Sequence, residues 1–145
     1  MSSGRPALEG LTVGGEVARS EISVDRARLV CYAGASGDLN PIHWNERVAL
    51  ELGLPGVIAH GMWTMGAVAS VVADWVGDPG AVIDYQVRFT RPVLVPDPGS
   101  ATIGVVVVVG AIDAAAGTVR LDVTATCAGI RVLGKAQAVV RLSAS

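Results

Sequence analysis

The pattern of hydrophobic and polar positions divides the chain into a mainly helical first half and a strand-rich second half. A short strand is predicted over residues 16–22. Ser23 is a good N-cap residue, and apolar positions after it recur at helical spacing, which predicts a helix that ends near Ser36 and Gly37. The positions that define this helix are Val24, Ala27, Val30, Cys31 and Ala35.

Two further helices are predicted before the strands begin. Asn45 can cap a short helix over residues 46–52, which Gly53 and Pro55 end. A longer helix is predicted over residues 63–76, with no charge until Asp74. Because a helix that is apolar on nearly every side is usually buried, we expect this one at the centre of the fold.

The second half predicts four strands. Residues 82–91 alternate in polarity, and a Val-rich run follows over 101–112. Two more strands are predicted over 119–127 and 130–142, separated by a tight turn at Ala128-Gly129. Consecutive long strands favour an antiparallel meander. The order of elements predicts an α+β fold in which an antiparallel sheet wraps around the central buried helix.

Composition narrows the class of protein. The 145 residues suit one domain, which we expect over residues 11–145 after a flexible arm at 1–10. Hydrophobic residues make up 51% and charged residues 17%, so a sizeable core is expected. The net charge is −2 without a Lys/Arg cluster, which argues against nucleic acid. With no signal-peptide pattern and no apolar run long enough to span a bilayer, we expect a cytoplasmic protein that does not bind membranes.

The two cysteines and two histidines do not form a metal motif. Cys31 and Cys127 lie outside any CxxC pattern, and we expect both to be buried free thiols. Two histidines without supporting cysteines argue against a zinc site. We therefore expect neither a metal nor a cofactor.

The strongest chemical signal is the stretch from Tyr32 to His43. Gly37 permits backbone angles that other residues avoid, and Pro41 restricts the residue before it, so the chain turns between Asp38 and His43. A turn can aim a carboxylate and an imidazole at one point, where they can move protons near neutral pH. Taken singly, Asp38 is more often a structural turn residue and His43 a buried hydrogen-bonding histidine.

The same stretch resembles the signature of the MaoC-like, or (R)-specific enoyl hydratase 2, family. The matching residues are Tyr32, Ser36, Gly37, Asp38, Asn40, Pro41, Ile42, His43 and Ala49. His60-Gly61-Met62 at the start of the long helix and the segment 87–93 also resemble that family. Within it, the chain looks most similar to the catalytic subunit of actinobacterial (3R)-hydroxyacyl-carrier-protein dehydratases.

The resemblance implies a hot-dog fold and a hydro-lyase that interconverts a (3R)-hydroxyacyl thioester with a trans-2-enoyl thioester and water. It implies Asp38 and His43 as the acid/base pair and the Gly61 N–H as the donor to the thioester oxygen. Asn40 and His60 would support the pair. We expect Trp44 and Trp63 to pack in the core. The alternative, functional interpretation is that they line the acyl-binding site.

The partners implied by the resemblance are an acyl thioester on coenzyme A or acyl carrier protein and a second hot-dog subunit. That subunit would form either a homodimer or a heterodimer. Two alternatives stay open from the sequence. One is a non-catalytic acyl-binding subunit, and the other is a hot-dog thioesterase, which usually carries its carboxylate on the central helix.

Overall fold

The structure, a computed structural model, describes residues 5–142. Five strands and three α-helices follow one another in this part of the chain. They are β1 (Glu16–Val24), α1 (Arg26–Ser36), α2 (Glu46–Glu51), α3 (Gly61–Val76), β2 (Val82–Phe89), β3 (Ala101–Asp113), β4 (Thr118–Cys127) and β5 (Ile130–Arg141).

All five strands form one antiparallel sheet in the order β1-β3-β4-β5-β2. The predicted meander is confirmed, because β3, β4 and β5 pair with one another in sequence. Strand β2 instead pairs with β5 and lies at one edge of the sheet, while β1 lies at the other. The loop between β2 and β3 therefore crosses the end of the sheet, and it passes close to the start of α3.

Helix α3 packs against one face of the sheet. Val68, Val72 and Val76 are buried along it, and the alternate residues of β3, from Ala101 to Val109, are buried opposite. The Tyr85 hydroxyl donates to the Met65 carbonyl at 3.0 Å and joins β2 to α3. Burial raises the pKa of Tyr85 to about 12, so this donor keeps its proton.

One side of α3 is open to solvent in the single chain. Met62, Gly66, Ser70 and Asp74 are exposed and follow one another at four-residue spacing along the helix. The helix is thus central to the sheet, as predicted, but only part of its circumference is covered. The exposed positions range from the apolar Met62 to the charged Asp74.

The start of α1 differs from the sequence prediction. Ser23 was predicted to cap the helix, but it belongs to β1, whose pairing with β3 continues through Val24. The N-cap is Asp25, whose Oδ1 accepts a hydrogen bond from the Arg28 N–H at 2.8 Å. The buried residues of α1 are Leu29 and Ala33, which lie four residues apart on one face.

The two cysteines are less buried than the sequence predicted. The predicted burial of Cys31 is wrong, since it shares the outer face of α1 with Val30 and is exposed. Cys127 lies half-buried at the end of β4, and burial raises the pKa of its thiol. Both thiols are free, as the sequence predicted.

The predicted N-terminal arm is described only from Arg5 onward. Residues 8–10 form a single 3-10 turn, Leu8 packs against the core, and Arg5 makes an ion pair with Asp78. The flexibility of the arm stays a prediction. Within residues 5–142, the helices are too short or too polar for any of them to cross a membrane.

The corrected helix start gives a matched pair of variants. Asp25→Ala removes the side-chain acceptor for the Arg28 N–H and should lower the free energy of unfolding by about 1 kcal/mol. Ser23→Ala, two residues earlier at an exposed position of the edge strand, should change it by less than about 0.5 kcal/mol. Urea unfolding of both variants measures the difference. Equal losses would contradict the assignment of the cap to Asp25.

Candidate active site

The turn after α1 begins with a left-handed residue. Gly37 ends the helix at φ 77° and sends the chain away from the helix axis. The side chain of Ser36 then accepts a hydrogen bond from the Asp38 N–H at 3.1 Å. Asp38 in turn uses its Oδ1 to accept from the Asn40 N–H at 3.1 Å. These local bonds fix the orientation of the Asp38 carboxylate and do not involve its Oδ2.

Asn40 shapes the second half of the turn. Its Oδ1 accepts from the Ile42 N–H at 3.3 Å and caps the 3-10 turn Pro41–His43. Pro41 at the start of this turn has the backbone angle that such a position requires. The turn places His43 on the inner side, where its side chain is buried.

The backbone of Ile58 clamps this turn from the other side. Its N–H donates to the Ile42 carbonyl at 3.2 Å, and its carbonyl accepts from His43 Nδ1 at 2.7 Å. The same segment is held by the β2–β3 loop, since Ala59 and Val95 donate to the carbonyls of Val93 and Val57. His43 is therefore tied through Ile58 to the end of the sheet.

The clamp defines the tautomer of His43. Because a carbonyl oxygen can only accept, the hydrogen bond to Ile58 requires the proton on Nδ1. The other nitrogen, Nε2, then carries a lone pair and lies 3.9 Å from Asp38 Oδ2. This separation is too long for a direct hydrogen bond, so both atoms can contact one substrate atom between them. The His43 side chain is 9% exposed and that of Asp38 is 51% exposed.

A second histidine lies beside the pair. The His60 ring stacks on His43, with the ring centroids 3.9 Å apart and an angle of 25° between the planes. Its Nε2 lies 3.2 Å from the backbone carbonyl of Asp38 and donates to it. Burial lowers the pKa of His60, against a smaller opposing effect of the hydrogen bond to the Asp38 carbonyl. His60 is thus a neutral neighbour of the pair.

A cavity of about 300 Å³ opens next to His43. Gly61, the first residue of α3, lines it together with Thr64 from the first turn of that helix. The first N–H groups of an α-helix have no partner within the helix and lie at its positive end. A side chain at Gly61 would meet the ring of Phe89 at 3.2 Å, so glycine allows the backbone to face the cavity. The remaining wall residues are Ile58, Ala59, Thr90, Arg91, Pro92, Val93, Val132 and Leu133.

The two tryptophans lie elsewhere. Trp44 is 48% exposed, and its indole N–H donates to the Leu39 carbonyl at 3.0 Å, which braces the turn from outside. Trp63 lines a separate groove of about 480 Å³ with Tyr32, Met62 and Gly66, on the other side of the start of α3. Neither tryptophan lines the cavity beside His43. Their role in binding an acyl chain stays a prediction.

Asp38, His43 and His60 are also close enough together to be considered as metal ligands, with one atom from each within 4.8 Å of the others. The geometry does not favour chelation. His43 Nδ1 and His60 Nε2 both donate to backbone carbonyls, so these two nitrogens are not available as ligands.

The structure therefore brings together five of the residues that the sequence singled out: Asp38, Asn40, His43, His60 and Gly61. It adds Ile58, which acts through its backbone, and Phe89, which covers Gly61 from the end of β2. No sequence pattern identifies a residue that acts only through its carbonyl group. Phe89 lies inside the segment 87–93, which already resembles the enoyl hydratase family.

Comparison with solved structures agrees with this architecture. A "MaoC-like dehydratase" is 41% identical, with a TM-score of 0.94 over 97% of this chain and 43% of its own. The unliganded R-hydratase PhaJ1 from Pseudomonas aeruginosa is 25% identical, with a TM-score of 0.83 over 97% of this chain and 88% of its own. These neighbours confirm the hot-dog fold expected from the sequence.

Similar curated proteins carry names from one class of reaction. The 3-hydroxyacyl-thioester dehydratase X of Mycobacterium tuberculosis is 44% identical over 61% of this chain and 29% of its own length. The 3-hydroxybutyryl-CoA dehydratase of Methylorubrum extorquens is 37% identical over 62% of this chain and 57% of its own. The chain thus spans less than two thirds of the length of these two relatives.

Residues 11–127, which include the turn, α3 and the first four strands, match the family described as MaoC like domain. This match covers most of the chain and includes Asp38, His43, His60 and Gly61. The chain belongs to the MaoC-like domain family.

Proposed function

We propose that the chain is a (3R)-hydroxyacyl thioester dehydratase that also catalyses the reverse, (R)-specific hydration of trans-2-enoyl thioesters. The observation that carries this proposal is that His43 Nε2 lies 3.9 Å from Asp38 Oδ2 beside a cavity that begins at the N-terminus of α3. One group can take a proton while its neighbour gives one. The names of the relatives support the same class of reaction.

Dehydration needs a proton acceptor and a proton donor on one face of the substrate. In our proposal His43 Nε2 takes the proton from the carbon next to the thioester carbonyl, and the electrons of that C–H bond form the new double bond. The bond from the next carbon to its hydroxyl breaks, and the hydroxyl leaves as water with the proton of Asp38. His43 then returns its proton to Asp38 through the departing water, which restores both groups for the next turnover.

The thioester oxygen gains negative charge when the adjacent carbon loses its proton. A fixed N–H donor at that position stabilises the charge without reorganising. We propose the Gly61 N–H for this role, because Gly61 begins α3, lines the cavity and has no side chain to block approach. The helix dipole adds a favourable field at the same end.

The positive charge of Arg91 at the cavity beside His43 suggests how the carrier of the acyl thioester binds. Arg91 lines both the His43 cavity and a larger adjoining one of about 730 Å³, with Pro92 and Val132 common to the two. An arginine at this junction can bind the phosphate of a phosphopantetheine arm, which coenzyme A and acyl carrier protein share. Two relatives are named for coenzyme A thioesters, a 3-hydroxybutyryl-CoA dehydratase and an (R)-specific enoyl-CoA hydratase. The pathway, whether fatty acid or polyketide, and the cytoplasmic location stay predictions.

A second hot-dog unit is proposed as partner. Strand β2 is an edge strand that exposes Ile83 and Phe89, and Phe89 also covers the cavity at Gly61. Unpaired edges with apolar side chains favour association. The fold neighbour described as the ChsH1-ChsH2 complex from Mycobacterium tuberculosis, 20% identical, pairs two different chains. We propose pairing through β2, with a heterodimer ahead of a homodimer.

The thioesterase alternative finds less support. The acid available on α3 is Asp74, which is exposed near the far end of the helix. It lies in a groove with Ala18, Arg19 and Trp75, away from the cavity beside His43. The other alternative, a non-catalytic acyl-binding subunit, does not account for the proximity of Asp38 and His43.

Asp38→Asn and His43→Ala should each lower the rate of crotonyl-CoA hydration by about a hundredfold or more, because each removes one member of the proton-moving pair. The loss of enoyl absorbance measures the rate, and chiral analysis of the 3-hydroxy product should show the R form. Asp74→Asn is the matched control and should keep the rate. Retention of more than about a tenth of the rate by either site variant contradicts its role as acid or base. Free thiol released by the unmodified chain would instead indicate a thioesterase.

Gly61→Pro should abolish turnover through loss of one N–H, at a cost of roughly a hundredfold or more in rate. Proline is tolerated at the first position of a helix, and His60 before it has φ −58° and ψ 132°, which proline accepts in its preceding residue. Gly61→Ala is the control, since it creates the same contact with the Phe89 ring but keeps the N–H. If both variants fold and lose activity equally, steric contact rather than the N–H is responsible.

The proposed association through β2 is tested by one charge on the edge. Ile83→Lys should shift the purified protein toward monomer and lower its activity, because a lysine on an edge strand disfavours pairing. Val30→Lys adds the same charge at an exposed position on the outer face of α1 and should leave the oligomeric state unchanged. Light scattering measures the mass of both variants. A fully active monomer of the unmodified chain argues against a required partner.

A further inference from the structure

His60 makes two contacts that the proposed reaction does not use directly. It is 1% exposed and occupies the position before α3, yet its side chain makes no hydrogen bond to that helix. Its Nε2–H donates to the backbone carbonyl of Asp38, and its ring stacks on His43. One side chain therefore touches both members of the acid/base pair.

The hydrogen bond determines the state of the His60 ring. Because the Asp38 carbonyl can only accept, the proton lies on Nε2, and Nδ1 carries a lone pair. Nδ1 is buried without a hydrogen-bond partner among the described residues. Protonating Nδ1 would place a charge in this buried position next to His43. A neutral ring in a single tautomer is thus the state that the surroundings favour.

The stacking determines the plane of the His43 ring. Tyr32 from α1 contacts the other side of His60 edge-on, with the ring centroids 4.8 Å apart. His60 is held between Tyr32 and His43, and His43 is held between His60 and the Ile58 carbonyl. With its plane and its Nδ1 both fixed, His43 can direct Nε2 only toward Asp38.

We propose that His60 is a positioning residue that sets the separation of Asp38 and His43 through these two contacts, which can be broken one at a time. The hydrogen bond holds the backbone of the acid, and the stack holds the ring of the base. Loss of either contact lets one partner move relative to the other. This inference rests on the proposed dehydratase activity of the same pair, but the state of the two rings can be measured without any substrate.

The chain contains two histidines, so 15N-labelled histidine in the untagged protein gives ring-nitrogen signals from two imidazoles only. We expect opposite neutral tautomers near pH 8, with the proton on Nδ1 in His43 and on Nε2 in His60. The titratable groups that face His60 are Tyr32, Asp38 and His43. Since burial lowers the pKa of His60, it should stay neutral as the pH falls through its ordinary range. A His60 proton on Nδ1, or averaging between both nitrogens, overturns the proposal.

Three substitutions separate the contacts. His60→Ala removes both and should lower kcat by on the order of a hundredfold, the effect of misplacing a catalytic group by about 1 Å. His60→Phe keeps a ring for the stack, and His60→Gln keeps an N–H donor at the same reach. Each should recover part of the lost kcat, while KM for crotonyl-CoA stays within about threefold of its original value.

Val119→Ala is the control for stability alone. Val119 is fully buried in β4, away from the cavity, so this variant should lower Tm without changing kcat. If His60→Ala lowers kcat no more than Val119→Ala does, His60 is only structural and the proposal fails. Full activity of Asp38→Asn would instead overturn the proposed function, and the tautomer measurement would still test the two contacts of His60.

Discussion

The hydrogen bond from His43 Nδ1 to the Ile58 carbonyl is the interaction on which the site depends. At 2.7 Å it holds the proton on one nitrogen and leaves the other free to face Asp38. Without this bond, the His43 proton would not be held on Nδ1 rather than on Nε2. The chemistry thus rests on a backbone group that lies fifteen residues away in the sequence.

That carbonyl is in place because the sheet holds it there. Ile58 forms an isolated bridge with Leu94 in the loop that leaves β2, and the neighbouring residues on both sides add backbone hydrogen bonds. The loop crosses this end of the sheet because β2 and β3 lie on different sides of the β4–β5 pair. The strand order therefore positions the Ile58 carbonyl, and that carbonyl in turn orients His43. The proposed oxyanion donor follows from the same order, since α3 begins three residues after Ile58.

Much of this was predictable from the sequence because it depends on local rules. The meander of β3, β4 and β5 follows from runs of Val divided by tight turns, and the end of α1 follows from Gly37. The start of α1 was mispredicted because pairing of Val24 with Ala101 in β3 extends β1 past Ser23. That pairing joins residues far apart in the sequence, which periodicity does not register. Val30 and Cys31 are exposed because α1 buries the face that carries Leu29 and Ala33 instead.

The candidate site also contains some features that local sequence patterns predict and others that depend on long-range contacts. Asp38, His43 and the supporting residue Asn40 were singled out from a dense local motif, and the structure shows that Asn40 caps the 3-10 turn. The stack of His60 on His43 joins residues that no local rule connects, and the contribution of Ile58 is invisible because any residue supplies a carbonyl. Trp44 and Trp63 were singled out for their size and their place beside the motifs. Which surface or cavity a tryptophan side chain faces depends on the packing of the whole fold, and a local sequence pattern does not contain this information.

The central claim is that Asp38 and His43 work as one unit held by this frame. The most direct measurement is the hydration rate of the double variant Asp38→Asn/His43→Ala, compared with both single variants under the same conditions. For a pair that acts as a unit, the double variant should be about as active as the more damaged single variant, because the second change removes nothing further. If the two losses multiply instead, the residues contribute independently, and the account of a coupled pair is contradicted.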